Sequence, residues 1–420
     1  MTFSFPSGRR LLLLWVALAV AVMASDSSMA RRPTVSGYLK SYSNLYAFPD
    51  YTLGPFTVNP PPEGAVSNRL RLKLRWPCLD WASVDIAYDI STRIQEFSLL
   101  SPDLATGAVG RVYRVTDLDS RLYPQQGDRI SSFGLFQNLD RAELEFKVSK
   151  VDIYVGRQAI AWGTARVVNP TDILTTFSYT SLDTEDRFGV DAIRARWAIS
   201  FMSELDVGLV AGSDFEPKNS AAFVRYKTYV AKTDLTWIIA GFREHLMAGF
   251  DLARSIGEAG GWLEVAQVWP KLLASNNNPR PDSYLRLSAG ADYNLGPNTY
   301  GFIEYHYNQA GTSDPAEYRR LVSTPAYTDG AVYLLGEHYL TPGITHQITP
   351  LVTGTAEVLA NLSDQSAYIA LSIEYSIAEN IYLQGGGYIG LGPGPTGFGS
   401  FSSEFGSYPE IAYGSFRYYF

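Results

Sequence analysis

Only one cysteine, Cys78, occurs in 420 residues, so the chain can build neither a disulfide framework nor a cysteine-based metal cluster. Histidine is nearly as scarce, at His245, His306, His338 and His346, and the patterns C-x-x-C-H, H-E-x-x-H and G-x-S-x-G are all missing. Covalent haem attachment, a zinc-hydrolase helix and a nucleophile elbow are therefore unsupported, and no cofactor, metal or enzymatic activity is expected. After Ala24 no apolar run reaches 18 residues, which excludes a membrane-spanning helix. Basic residues are outnumbered as well, and a net charge of -8 argues against a nucleic-acid partner.

What is present begins with Arg9 and Arg10, followed by the apolar run LLLLWVALAVAVMA from Leu11 to Ala24. This is the layout of a secretory signal peptide over residues 1–24, with cleavage as late as Ala30 the alternative, and it leaves residues 31–420 as a single exported domain. The arginine pair alone does not make a twin-arginine signal, because its flanks do not fit one. An exported chain with 46% hydrophobic residues, 28 Tyr and 21 Phe, but no helical span, is either a soluble β-protein or a β-barrel in an outer membrane.

The segment NRLRLKLRW shows what the strands look like. Arg69, Arg71, Lys73 and Arg75 alternate with Leu70, Leu72, Leu74 and Trp76. On a helix, residues two apart lie about 200° apart, so neither set would share a face; on a strand they separate cleanly. The same alternation places Lys40, Asp85, Asp89, Glu143, Glu145, Arg194, Arg196, Asp206, Arg225, Lys227, Glu304 and Glu374 opposite apolar neighbours. Such segments are predicted at 34–43, 67–76, 81–91, 139–148, 151–160, 189–198, 203–212, 221–230, 233–242, 245–253, 260–268, 283–293, 299–308, 330–340, 345–359, 366–376, 379–389 and 410–420. They make eighteen, with sixteen the alternative count because alternation weakens over 221–268. A length of about 9 to 11 residues suits a tilted strand crossing a bilayer.

Connection lengths sort by parity: every connection longer than seven residues follows an odd-numbered segment. A soluble sandwich has no reason to sort its loops in this way. The expected fold is thus all-β, a transmembrane antiparallel barrel with long extracellular loops and short periplasmic turns. Trp76, Trp81 and Trp197 flank short turns, where an aromatic girdle would sit. The charged face would line a water-filled lumen, where Arg69 to Arg75 either set up a field that orients a polar solute or simply pair with Asp85 and Asp89.

Other patterns carry less. Gly385, Gly387 and Gly390 match G-x-G-x-x-G, but no helix follows to offer its N-terminus to a phosphate. His306 near Glu304 is a conceivable base, though a polar lumen histidine is the simpler reading.

The last residues, IAYGSFRYYF, put Phe416, Tyr418 and Phe420 on one face, and this ending resembles the assembly signal read by the outer-membrane barrel assembly machinery. The connection 161–188 contains Asp183, Glu185 and Asp186; in position and charge it is similar to the third loop of general porins, which folds inward as an acidic constriction opposite a basic ladder. Loop 92–138, which is longer, is the alternative plug. Gly156, Arg157, Gln158, Trp162, Gly163, Asn169, Pro170 and Asp172 together resemble a segment of a family of bacterial outer-membrane porin-like proteins, some of which sheathe multihaem cytochromes in electron-transfer conduits. The resemblance implies that Arg157, Gln158, Trp162 and Asp172 organise the base of that loop. The expected function is passive passage of small polar or ionic solutes through an outer-membrane channel in contact with lipid; the alternative is a cytochrome sheath. The oligomeric state is not legible.

Overall fold

The computed structural model describes residues 32–420 except 97–111, 126–127, 129, 131, 276–279, 330–331 and 398; the signal-peptide segment lies outside the described residues. Eighteen long strands follow one another: β1 (Thr34–Ala47), β2 (Glu63–Leu79), β3 (Ala82–Gln95), β4 (Phe133–Val148), β5 (Val151–Ala159), β6 (Gly189–Ser200), β7 (Ser203–Ala211), β8 (Ala221–Val230), β9 (Thr233–Phe242), β10 (His245–Ile256), β11 (Ala259–Trp269), β12 (Tyr284–Gly296), β13 (Thr299–Asn308), β14 (His338–Thr349), β15 (Val352–Asn361), β16 (Ser366–Ala378), β17 (Ile381–Leu391) and β18 (Glu410–Tyr419). Each pairs antiparallel with the next, and β18 pairs back onto β1 from Tyr38↔Tyr419 to Ala47↔Glu410. The sheet is therefore a closed barrel with no free edge.

Its shape follows from the alternation. Val35, Leu39, Leu72, Ile193, Leu209, Val224, Ile239, Ile303, Leu371 and Ile373 are exposed on the outer face, while Lys40, Arg71, Asp206, Arg286 and Glu304 are buried within. In water this would be an inverted protein, since each large apolar side chain left in water forgoes roughly 1.5–3 kcal/mol of burial. In a bilayer the same distribution is the stable one.

All connections after even-numbered strands shorten to two residues, for example 149–150, 231–232 and 379–380. At Ala231 and Lys232 both φ angles are positive, 51° and 64°, the mirror-image geometry that matches the twist of tight hairpins. Aromatics gather at this end: Trp81 stacks on Phe146 with centroids 6.2 Å apart, and Trp197 is exposed beside its turn. Phe416, Tyr418 and Phe420 point outward, and the Phe420 backbone exchanges hydrogen bonds of 2.9 and 3.0 Å with Gly37.

The predicted segments 330–340 and 345–359 need correction. Residues 332–337 of the predicted strand 330–340 lie in a loop, and the strands are His338–Thr349 and its partner Val352–Asn361, so the predicted segment 345–359 is divided by a turn at 350–351. The alternating apolar residues Val332 and Leu334 are buried in loop packing instead of facing lipid. Pro342, which reads as a breaker, sits inside β14, where the pairing to β15 skips from Leu340↔Ala360 to Gly343↔Glu357 and requires no N–H from it. In β4 the pairing shifts between Ala87↔Arg141 and Tyr88↔Leu139. This bulge turns Asp140 inward beside Arg141, although strict alternation would send it outward.

Candidate functional site

The site is the lumen and the connection 160–188 folded into it. Gly163, at φ 114°, makes the turn that starts this excursion; a Cβ there would lie 2.0 Å from Asn169 Oδ1. Gly156, at φ 117°, lies so close to β4 that a Cβ would meet the Ala142 carbonyl oxygen at 2.2 Å. Only glycine fits either position.

Two carboxylates from the far wall hold the first half of the loop. Glu264 accepts the backbone N–H groups of Thr164, Ala165 and Thr171 at 2.8, 3.1 and 2.8 Å, and the Thr171 hydroxyl at 2.7 Å. Glu304 accepts those of Arg166, Val167 and Val168 at 2.7, 3.2 and 3.0 Å, and the Trp262 indole N–H at 2.9 Å. Both acids are almost fully buried, so their charge is satisfied by backbone donors in place of water. Ser288 Oγ donates to the Val168 carbonyl, and Arg286 reaches the Pro170 carbonyl.

The loop's second half crosses to the opposite wall. Tyr179 meets Tyr368 and Tyr388 edge-on, with centroids 6.3 Å away in each case. Asp183 then bonds Lys40 at 2.9 Å and Arg69 at 3.2 Å. Glu185 reaches Lys40 at 2.6 Å and the Tyr419 hydroxyl at 2.7 Å. Asp186 bonds Lys73 at 3.2 Å, accepts from the Tyr38 hydroxyl at 2.8 Å and lies 3.7 Å from Arg71. Burial alone would raise the Asp186 carboxyl, but Arg71, Tyr38 and Lys73 outweigh it and hold it below the usual carboxylate range. Burial pushes Asp172, deeper in the loop, up to about 6 despite Arg187 at 3.1 Å.

The basic ladder is thus divided. Arg71 pairs with Asp89 at 3.1 Å and Asp140 at 2.6 Å, and Arg75 lies 3.9 Å from Asp85, so neighbouring strands answer those two. Arg69 and Lys73 are answered by the loop. Of the two readings of the ladder, cross-strand pairing describes Arg75, contact with the inward acidic segment describes Arg69 and Lys73, and Arg71 takes part in both.

The remaining inward charges are mostly paired along the wall. Arg194 forks onto Asp206 at 2.8 and 2.6 Å, Arg196 bonds Glu204 at 2.6 Å, and Lys227 bonds Asp234 at 3.3 Å. Arg225 lies in register with Asp206, and Glu143 with Asp85. Glu145 accepts from Ser83 Oγ at 2.9 Å, and Glu374 pairs with Arg417.

Of the motif residues, Arg157 ties β5 to Asp191 at 2.7 Å and Asp117 at 2.9 Å, Gln158 donates to the Ala192 carbonyl at 3.3 Å, and the Trp162 ring stands edge-on to Phe223 at 4.7 Å. The described part of loop 92–138 also turns inward: Arg114 donates to the Gly189 carbonyl and reaches Asp140 at 3.4 Å, Val115 donates to Asp191, and Tyr113 is buried in one apolar cluster with Trp162 and Phe223.

His306 does not face Glu304 as a base would. Its Nδ1 lies 2.8 Å from Ser288 Oγ, whose proton is given to Val168, and the pair is sealed beneath the loop. Sequence reasoning missed Glu264 and Asp140. Glu264 lies in a predicted segment, but its partners are backbone amides of a distant loop, which leave no residue-type signal; Asp140 depends on a bulge.

No protein-family model matches the chain, and no curated protein does. Solved structures do resemble it. OccAB4 from Acinetobacter baumannii superposes with a TM-score of 0.54 at 9% identity, covering 93% of this chain and 99% of that one. The outer membrane protein OpdK from Pseudomonas aeruginosa gives 0.54 at 8% identity, over 93% and 98%. A second structure of OpdK, with vanillate, gives 0.53 at 8%, over 92% and 98%. At these identities the likeness shows the shared barrel fold.

Proposed function

We propose that the protein is an outer-membrane channel for passive diffusion of small polar or ionic solutes, with loop 160–188 as its constriction and the short turns on the periplasmic side. The observation that carries this reading is the inward loop, whose Asp183, Glu185 and Asp186 meet Lys40, Arg69 and Lys73 across the lumen of a closed barrel with an apolar exterior. Preorganised charges of both signs beside an aqueous path orient polar solutes and set ion preference. That structural neighbours include an outer-membrane protein crystallised with vanillate supports a solute-passing barrel of this shape.

The cytochrome-sheath alternative has less support, because the chain's own loop crosses the space a protein would need, anchored through Glu264 and Glu304. Lys73→Glu tests the channel. Lys73 is about one-third exposed, so its reversal can be tolerated by the fold while removing the counter-charge of Asp186. Planar-bilayer recordings in potassium chloride should show open steps, with cation preference raised several-fold in the variant. Steps absent from the wild type, or conductance and selectivity identical in the two, would contradict the assignment.

A further inference from the structure

The outer wall of the barrel is not uniform. On the side formed by β8–β13, Val224, Trp237, Ile239 and Ile303 are exposed, and Trp237 packs against the rings of Tyr226 and Phe250. That side is large, apolar and suited to lipid. Around the seam between β18 and β1 the outward positions are small or polar instead. Thr92, Asn68 and Ser41 lie in register as one row across β3, β2 and β1, and Ser43 and Gly414 pair in the next outward row toward the long loops. Each shares the parity of an exposed apolar residue on its own strand, Ile94, Leu72, Leu39 or Phe416, so all of them face outward.

Ser43 is exposed, and Ser41, Asn68 and Thr92 are half-buried. Asn68 donates one amide N–H to the Thr92 hydroxyl at 3.0 Å, which leaves its second N–H and its carbonyl oxygen for other partners. Hydrocarbon supplies none, and an amide or hydroxyl held in an apolar medium without a hydrogen bond is costly. On the long-loop side of this row the wall is hollowed into a groove of about 570 Å³, whose lining includes Ser43, Leu45, Gly64, Val66, Ile94 and Gly414, with Glu96 at the aqueous rim. The barrel itself does not demand these glycines. A Cβ on Gly414 would meet nothing within 4 Å, and one on Gly64 or on nearby Gly385 would find its first neighbour at 4.0 or 3.9 Å. Glycine inside a strand weakens it and marks places where another backbone approaches closely. Here that backbone is not the chain's own.

We propose that this wall is a docking face for a second copy of the chain, the two barrels standing side by side about a two-fold axis along the membrane normal. Such an axis keeps every residue at its own height, so the row of Thr92, Asn68 and Ser41 meets the same row of the other copy. Serine, threonine and asparagine each donate and accept, which makes the face complementary to itself. Small residues let two walls approach and polar ones bond across, the composition that joins segments within membranes. A lipid chain would fill the groove but leave the row unsatisfied, so a protein wall is the better occupant. Glu96 meets its like only in water, where salt screens the repulsion.

Docking requires the barrel to stand in a membrane, whatever its lumen conducts, and it is tested without reference to conductance. Protein extracted in mild detergent is weighed by native mass spectrometry, and heat-modifiable mobility verifies that each variant is folded. The unaltered chain should give a species of twice the monomer mass. Asn68→Leu makes the row apolar and Gly414→Leu fills the groove, and each should lower the association constant about tenfold. Ala248→Leu, on the opposite wall beside exposed Ile239, should leave it unchanged. In native membranes, Ser43→Cys in a Cys78→Ser background should be joined to itself by a short bismaleimide, and Ala248→Cys in the same background should not. Monomers in detergent together with no cross-linking at position 43 overturn the docking face, as does equal cross-linking at both positions. A dimer that both leucine variants leave intact places the contact on another wall and overturns it too. Monomers carrying a phospholipid that Gly414→Leu releases assign the groove to lipid and overturn it as well.

Discussion

Replacing Glu304 by Gln should loosen the constriction without removing a side chain's volume. In the native lumen the carboxylate accepts three consecutive backbone N–H groups from residues 166–168 and the Trp262 indole. A glutamine keeps one acceptor oxygen and turns an NH2 group toward donors that had faced the other. A hydrogen bond to a charged acceptor contributes about 1.5–3 kcal/mol, and one to a neutral acceptor about 1 kcal/mol. Losing two of the former, with partial relaxation of the loop, costs about 3 kcal/mol of docking free energy. That shifts the ratio of docked to undocked loop about a hundredfold. Glu264 still holds Thr164, Ala165 and Thr171, so the loop stays mostly in place and the undocked form remains a minor population. In single-channel recordings the frequency of transient high-conductance openings should rise by about two orders of magnitude, and Glu264→Gln/Glu304→Gln should convert the bursts into a sustained larger step. If the single variant gates like the wild type, and the double variant keeps its conductance, these carboxylates do not hold a constriction and the argument fails.

Other outcomes follow from the same contacts. Asp186 has a carboxyl held below its unfolded value, so its contribution to docking is present above about pH 4 and is lost as pH falls through its depressed value. Conductance measured between pH 7 and pH 3 should become noisier only at the acidic end, and Asp186→Asn should show that noise at every pH; a variant as quiet at pH 7 as the wild type would refute it. Deleting Phe420 removes the two backbone bonds to Gly37 and the outward ring that ends the Phe416, Tyr418 series. The truncated chain should reach the outer membrane in smaller amounts, measured as heat-modifiable folded barrel in membrane fractions, and undiminished amounts would argue against an assembly role for that residue.

Most of the barrel is legible in the sequence because it depends on local alternation and on loop length, both of which survive without tertiary information. Leu70, Leu72 and Leu74 announce one face and Arg69, Arg71 and Lys73 the other. The parity of long and short connections orients the whole. What escaped depends on contacts between distant segments. Asp140 is turned inward by a single extra residue opposite β3. Val332 and Leu334 alternate like a strand yet pack beneath a loop, since burial against protein and exposure to lipid select the same residue types. Of the site, the acidic residues 183, 185 and 186 were readable by charge and Glu304 by its inward parity, whereas Glu264 and the anchoring of the loop on both carboxylates were not, because backbone amides look alike in every sequence.

The inward loop touches residues drawn from both ends of the chain, from Tyr38 and Lys40 in the first strand to Tyr419 in the last. Those strands become neighbours only when β18 pairs with β1. Timing is therefore built into the architecture: an unclosed sheet can hold residues 160–171 against Glu264 and Glu304, but it offers Glu185 only one of its two partners until the seam is made. Contacts so distant in sequence form late. The loop's last contacts are completed by the same event that seals the wall, so a half-assembled barrel would be open and would also leave Glu185 short of a partner.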